Sequence, residues 1–190
     1  MGSTLMLASL SPMELAGQLV SLTALVLCLI AFASKQDQRL MVWLLAANVA
    51  FALQFALFQS WTASVLTLIV ILRIILARRY PGNLWLLGVI LALNMAGAWV
   101  TWQSWHDLFA LLAGTLGTLG MFLLRGIPMR LMLGAAALCW MTSNILIGSV
   151  GATLAEGLVL VTNAITIWRL HRLKQQYPDL GHPPGRLMSR

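Results

Sequence analysis

Seven long apolar runs, separated by short polar or turn-forming breaks, organise the chain: residues 12–34, 40–58, 61–77, 84–102, 108–124, 129–147 and 152–170. Each approaches the roughly 20 apolar residues that a helix needs to cross a hydrocarbon core of about 30 Å. The pattern predicts an all-α integral membrane protein of seven transmembrane helices. The breaks carry start and stop signals. Ser11-Pro12-Met13-Glu14 combines a capping serine, a proline suited to the first helical position and a glutamate able to complete a capping box. Ser60 opens a tight turn, Arg78-Arg79-Tyr80-Pro81-Gly82 is a stop, and Ser104-Trp105-His106-Asp107 reads as another capped start. No proline falls inside a span, and Gly148-Ser149 leaves only a very short turn between the last two helices.

Composition agrees with that reading. The chain of 190 residues is 60% hydrophobic and 9% charged, which leaves too little polar surface for a soluble domain of this size. A net charge of +7 would point to nucleic acid in a soluble protein. Here the cations sit between apolar runs. Lys35, Arg39, Arg78, Arg79, Arg125, Arg130, Arg169, Arg172, Lys174, Arg186 and Arg190 all follow helices 1, 3, 5 and 7, and the opposite side carries no Lys or Arg. Such asymmetry predicts an orientation with the C-terminus cytoplasmic and the N-terminus outside, and no nucleic-acid partner. Trp61, Trp99, Trp102 and Trp105 gather at the outer interface, and Trp43, Trp85 and Trp168 near the inner one, as an aromatic belt does. The start of the chain lacks the basic region of a cleaved signal peptide, so helix 1 is expected to persist. Residues 172–190 are expected to form a mobile basic tail after a single transmembrane domain, 1–171.

The hairpin 130–170 concentrates the residues that lipid tolerates least: Thr142, Ser143, Asn144, Glu156, Thr162 and Asn163, together with Trp140, the tryptophan farthest from a membrane surface. Intramembrane carboxylates are costly and face a cavity or a partner. Glu156 is therefore expected as a proton-coupling group or gate, or else as a hairpin lock bonded to backbone or to Asn144, which should lie at similar depth. Gln18, Thr115, Thr118, Asn48, Asn163 and Trp140 are expected to ring a central polar pocket. The bland account of such polar residues is helix–helix glue, worth about 0.6 kcal/mol each. Arg73 lies near the inner end of helix 3, and snorkelling of its head to that surface is the expected fate. Cys28 and Cys139 read as buried thiols. No nucleophile–base set, phosphate loop or metal-ligand spacing stands out, so neither an enzyme nor a cofactor is expected.

The chain also contains an internal echo. Leu15-Ala16-Gly17 recurs as Leu112-Ala113-Gly114, Arg39-Leu40-Met41 as Arg130-Leu131-Met132, and Arg78 as Arg169. The matches predict two parallel three-helix repeats, 12–79 and 106–170, joined by a linker helix, 83–102, in a 3+1+3 plan.

The segments Leu112-Ala113-Gly114-Thr115, Gly126-Ile127-Pro128-Met129-Arg130, Gly148-Ser149-Val150-Gly151-Ala152-Thr153, Glu156-Gly157 and Asn163 through Trp168-Arg169 resemble the bacterial YgjV-type inner membrane protein family. That family looks distantly related to the SWEET and PQ-loop group of small-solute transporters. The resemblance implies the same 3+1+3 plan and implies no substrate. SWEET-type sites use a tryptophan and an asparagine from each repeat. Trp140 and Asn163 match in the second repeat, whereas Val49 and Leu72 stand at the corresponding offset in the first. The hinge proline of SWEET-type first helices is also missing from helices 1 and 5. The expected function is small-solute transport with unknown substrate; the alternative is a non-transporting receptor, scaffold or assembly module. Its expected partners are the lipid bilayer and a small neutral or weakly polar solute, with an oligomer left open.

Overall fold

The structure is a computed structural model that describes residues 11–34 and 36–176. Those residues form seven helices and no strand: α1 (Pro12–Ala33), α2 (Asp37–Leu57), α3 (Trp61–Arg79), α4 (Leu84–Thr101), α5 (Asp107–Leu123), α6 (Gly126–Leu146) and α7 (Val150–Gln176). Six of the seven are long and apolar enough to cross a membrane, and α5 is a shorter apolar helix. The expected spans are met to within a few residues except at the end of α7. That helix continues to Gln176, so the stretch expected to begin a tail at 172 opens as helix, and the rest of it lies outside the described residues.

Local chemistry explains the helix ends. Ser11 accepts from Glu14 N–H at 3.2 Å while Glu14 accepts from Ser11 N–H at 2.7 Å, the reciprocal box that the sequence predicts. Asn83 caps α4 by accepting from Trp85 and Leu86 N–H. At α5 the cap is built differently from expectation. The Asp107 carboxylate reaches back and accepts from the N–H groups of Gln103 (2.7 Å) and Ser104 (2.9 Å).

The turns α2–α3 and α6–α7 share one hydrogen-bond pattern. Ser60 N–H donates to Phe55 C=O and Ser149 N–H to Asn144 C=O, each at 2.9 Å. The residue before each serine takes the left-handed conformation, Gln59 at φ 57° and Gly148 at φ 76°. Phe58→Gln54 and Ile147→Ser143 pair likewise, as do Gln59→Ala56 and Gly148→Ile145. Every residue of the second turn thus lies 89 positions after its counterpart, as Ser149 follows Ser60.

Packing makes a ring. α1 neighbours α2 and α7, α2 neighbours α3, α3 neighbours α5, α5 neighbours α6, and α6 neighbours α7; α4 lies outside, against α3 and α5. The core is built of small residues, with Ala24, Ala31, Ala47, Ala63, Ala110, Ala113 and Ala152 fully buried, while large apolar side chains such as Leu19, Val42, Leu68 and Val161 face outward. Lipid supplies no hydrophobic drive between helices, so close approach through small residues holds such bundles together. Two seams between non-consecutive helices close the ring. In the α1–α7 seam, a Cβ at Gly151 would strike the backbone of Ser21 and Leu22. In the α3–α5 seam, a Cβ at Gly117 would strike the Arg73 guanidinium.

Candidate functional site

A cavity of about 30 Å³ lies between α2, α3, α6 and α7, lined by Asn48, Phe51, Phe55, Thr67, Val70, Trp140, Asn144 and Glu156. Four of the residues singled out from the sequence meet there: Asn48, Trp140, Asn144 and Glu156. Each sits where its helix turns a polar or aromatic position inward. Asn48 is anchored by donating Nδ2 to Leu44 C=O at 2.8 Å, and Thr67 donates its hydroxyl to Ala63 C=O at 2.7 Å. Trp140 stacks on Phe55 with ring centroids 5.6 Å apart. Asn144 is only 2% exposed, and its Oδ1 has no hydrogen-bond partner. Asn144 Oδ1 thus accepts no hydrogen bond from Glu156, and the two side chains share one cavity at similar depth.

The other expected pocket residues go elsewhere. Gln18 clamps the α6–α7 turn, donating Nε2 to Gly148 C=O at 2.6 Å and accepting from Val150 N–H at 3.2 Å. Thr115 is spent on its own helix, donating to Leu111 C=O at 2.8 Å. Thr118 donates to Gly114 C=O and accepts from Asn94 Nδ2 at 3.4 Å, inside the packing of α4 on α5. Asn163 accepts from Arg130 Nη1 at 3.3 Å. Asn163 stands seven residues past Glu156 on α7, roughly 10 Å along the axis toward the other end of the bundle, and is not among the cavity's lining residues. α1 and α5 therefore contribute nothing to the cavity wall; they brace the helices that do.

Arg73 does not snorkel. It is 7% exposed, its Nη1 donates to Gly114 C=O at 3.1 Å, its head packs on Gly117, and its Nε has no partner. Asn94 Oδ1, against Gly114, is likewise unpartnered.

Sequence reasoning passed over Phe51, Phe55, Thr67 and Val70. The shared turn geometry identifies three of them. At 89 positions, Phe51 corresponds to Trp140, Phe55 to Asn144 and Thr67 to Glu156, and all six line the cavity. Trp140 thus has an aromatic counterpart in Phe51 rather than Val49, which is 56% exposed and points to lipid. At the end of the bundle that carries these turns, the Ser149 hydroxyl donates to the buried Gln54 Oε1 at 2.6 Å, a polar tie between the first and second helix pairs.

Residues 15–174 match the model of the family Imp-YgjV, described as a bacterial inner membrane protein. The inner membrane protein YgjV of Escherichia coli (strain K12) is 21% identical over 160 residues, covering 84% of this chain and 87% of that protein. No solved structure matches.

Proposed function

We propose a transport function on the premise that this chain belongs to the YgjV family of bacterial inner membrane proteins and is multi-pass in the membrane. It moves a small solute by rocking two triple-helix halves about the cavity between them, in a SWEET-like plan. The observation that carries this reading is the cavity's composition. Six of its eight lining residues fall into the pairs Phe51/Trp140, Phe55/Asn144 and Thr67/Glu156, one member from each half. The ring supports it as well. Exchanging α1, α2 and α3 for α5, α6 and α7 turns every neighbour pair into another neighbour pair, and α4 stands outside as a linker would. A cavity on such a pseudo-two-fold axis is where opposite tilts of two halves open opposite faces.

Solute counterflow into proteoliposomes tests the reading. A solute that exchanges through the wild type and fails to exchange through Trp140→Ala supports it; exchange that ignores Trp140→Ala refutes the cavity as the route. The proposed orientation puts the basic end in the cytoplasm, as the one-sided Lys and Arg imply. A cytoplasm-active reporter fused after Arg190 should work, and the same reporter inserted at 104–107 should not. One observation favours the alternative of a receptor, scaffold or assembly module. About 30 Å³ holds only about two or three waters, and Ser149 is tied to Gln54 at the turn-bearing end of the bundle. A protein that exchanges no solute while keeping this small cavity would be such a module.

A further inference from the structure

We infer that the cavity between α2, α3, α6 and α7 binds a protonated primary amine. The inference shares its site with the transport reading but needs only binding, not movement.

Glu156 is the one charged group in the lining, and no Lys, Arg or His joins it there. The nearest cation along α3 is Arg73, one turn past Val70, and its Nη1 is held by Gly114 C=O against Gly117 in the α3–α5 seam. The carboxylate therefore has no countercharge in the wall around it. An ionised carboxylate there is balanced best by a cation that enters the cavity.

The rest of the wall offers lone pairs. Asn144 Oδ1, buried and unpartnered, is an acceptor in need of a donor. Thr67 has spent its single proton on Ala63 C=O, and Asn48 has turned an amide proton back to Leu44 C=O. Each keeps its oxygen free to accept. The donors that remain, such as the indole N–H of Trp140 and the Asn144 amide, are neutral and cannot balance a carboxylate.

Aromatic faces complete the chemistry. Trp140 and Phe55 stack at 5.6 Å, and Phe51 lines the same space. Ring faces attract cations and repel anions. A primary ammonium supplies the missing positive charge, three N–H donors and a carbon stem that suits the rings. A carboxylate or phosphate would meet Glu156 with like charge. A polyol would leave the carboxylate unbalanced, so the neutral or weakly polar solute expected from sequence gives way to a cation. A volume of about 30 Å³ accommodates an ammonium-sized head, and a longer amine needs the halves to part.

Methylammonium chloride is the probe, titrated calorimetrically into the purified full chain in detergent and read in parallel by thermal unfolding. Sodium chloride at equal ionic strength, acetamide as the neutral analogue and tetramethylammonium as a donor-free cation are the comparisons. Methylammonium is expected to bind and to raise the unfolding temperature, with each comparison at least about tenfold weaker. Glu156→Gln, isosteric and uncharged, should weaken methylammonium by about tenfold or more. Trp140→Phe should weaken it roughly threefold and serves as the second variant if Glu156→Gln does not fold. Equal responses to acetamide, sodium or tetramethylammonium, no methylammonium binding by the wild type, or unchanged affinity in Glu156→Gln would each overturn the assignment. Methylammonium binding without solute exchange in proteoliposomes leaves this site standing and removes the transport reading. Exchange of a neutral solute without methylammonium binding does the reverse.

Discussion

The two seams that close the helix ring occupy equivalent places and are built in opposite ways. Between α1 and α7 nothing stands between the backbones at Gly151, where even a methyl group has no room, and Gln18 bonds both sides of the adjoining turn. Between α3 and α5 the long Arg73 side chain is wedged against Gly117, with its Nε unpartnered, and Asn94 Oδ1, against Gly114, is unpartnered too. A backbone-to-backbone contact has one arrangement. A side-chain wedge with unsatisfied groups has several, because the guanidinium can rotate to new acceptors without moving a helix. If the halves rock, α1–α7 is the fixed edge and α3–α5 the adjustable one.

The largest effect should come from breaking the fixed edge. Gly151→Ala forces α7 away from Ser21 and is expected to cost about 3 kcal/mol, the upper part of the usual range for overpacking. Thermal unfolding in detergent measures it, and a loss under about 1 kcal/mol would mean that the α1–α7 contact is soft. Gly117→Ala should cost less, about 1–2 kcal/mol, because the atoms it meets end a flexible side chain. Adding Arg73→Met should recover most of that loss, since trading a buried charge for an apolar side chain is often neutral. A double-mutant cycle with no coupling between positions 73 and 117 would remove the wedge from the account. The smallest effect is expected from Gln18→Leu. It loses two hydrogen bonds worth roughly 0.6 kcal/mol each, so about 1 kcal/mol in all. A loss as large as that of Gly151→Ala would move the centre of the fixed edge from the glycine contact to the glutamine clamp.

The sequence spoke clearly about spans and caps because both are local. Bilayer thickness sets the length of an apolar run, and Ser11 with Glu14 makes its box within one turn. It also exposed Glu156, Asn144, Asn48 and Trp140, since a polar or amphipathic residue amid aliphatic ones is conspicuous wherever it points. Rotation about each helix axis was hidden. Where lipid and core are both apolar, hydropathy does not separate the face of Phe51, which lines the cavity, from that of Val49, which meets lipid. Thr67 drew no notice among aliphatic neighbours and Arg73 looked long enough to reach water; only packing shows the first at the cavity and the second held by Gly114. Matching Arg39 with Arg130 set a register of 91, while the turn hydrogen bonds set 89 at the other end of the same helices. A slip of two residues turns a helix by more than half a revolution, enough to pair a wall residue with a lipid-facing one.

The unequal lengths of the helices bear on the lipid around them. α5 has 17 residues and rises about 25 Å, short of a hydrocarbon core of about 30 Å. α7 has 27 residues and rises about 40 Å, with Arg172 lying 4.2 Å over the Trp168 ring near its far end. The annulus must therefore thin beside α5, while α7 tilts or projects until Trp168 and Arg172 reach the headgroups. Shorter acyl chains should ease the mismatch at α5.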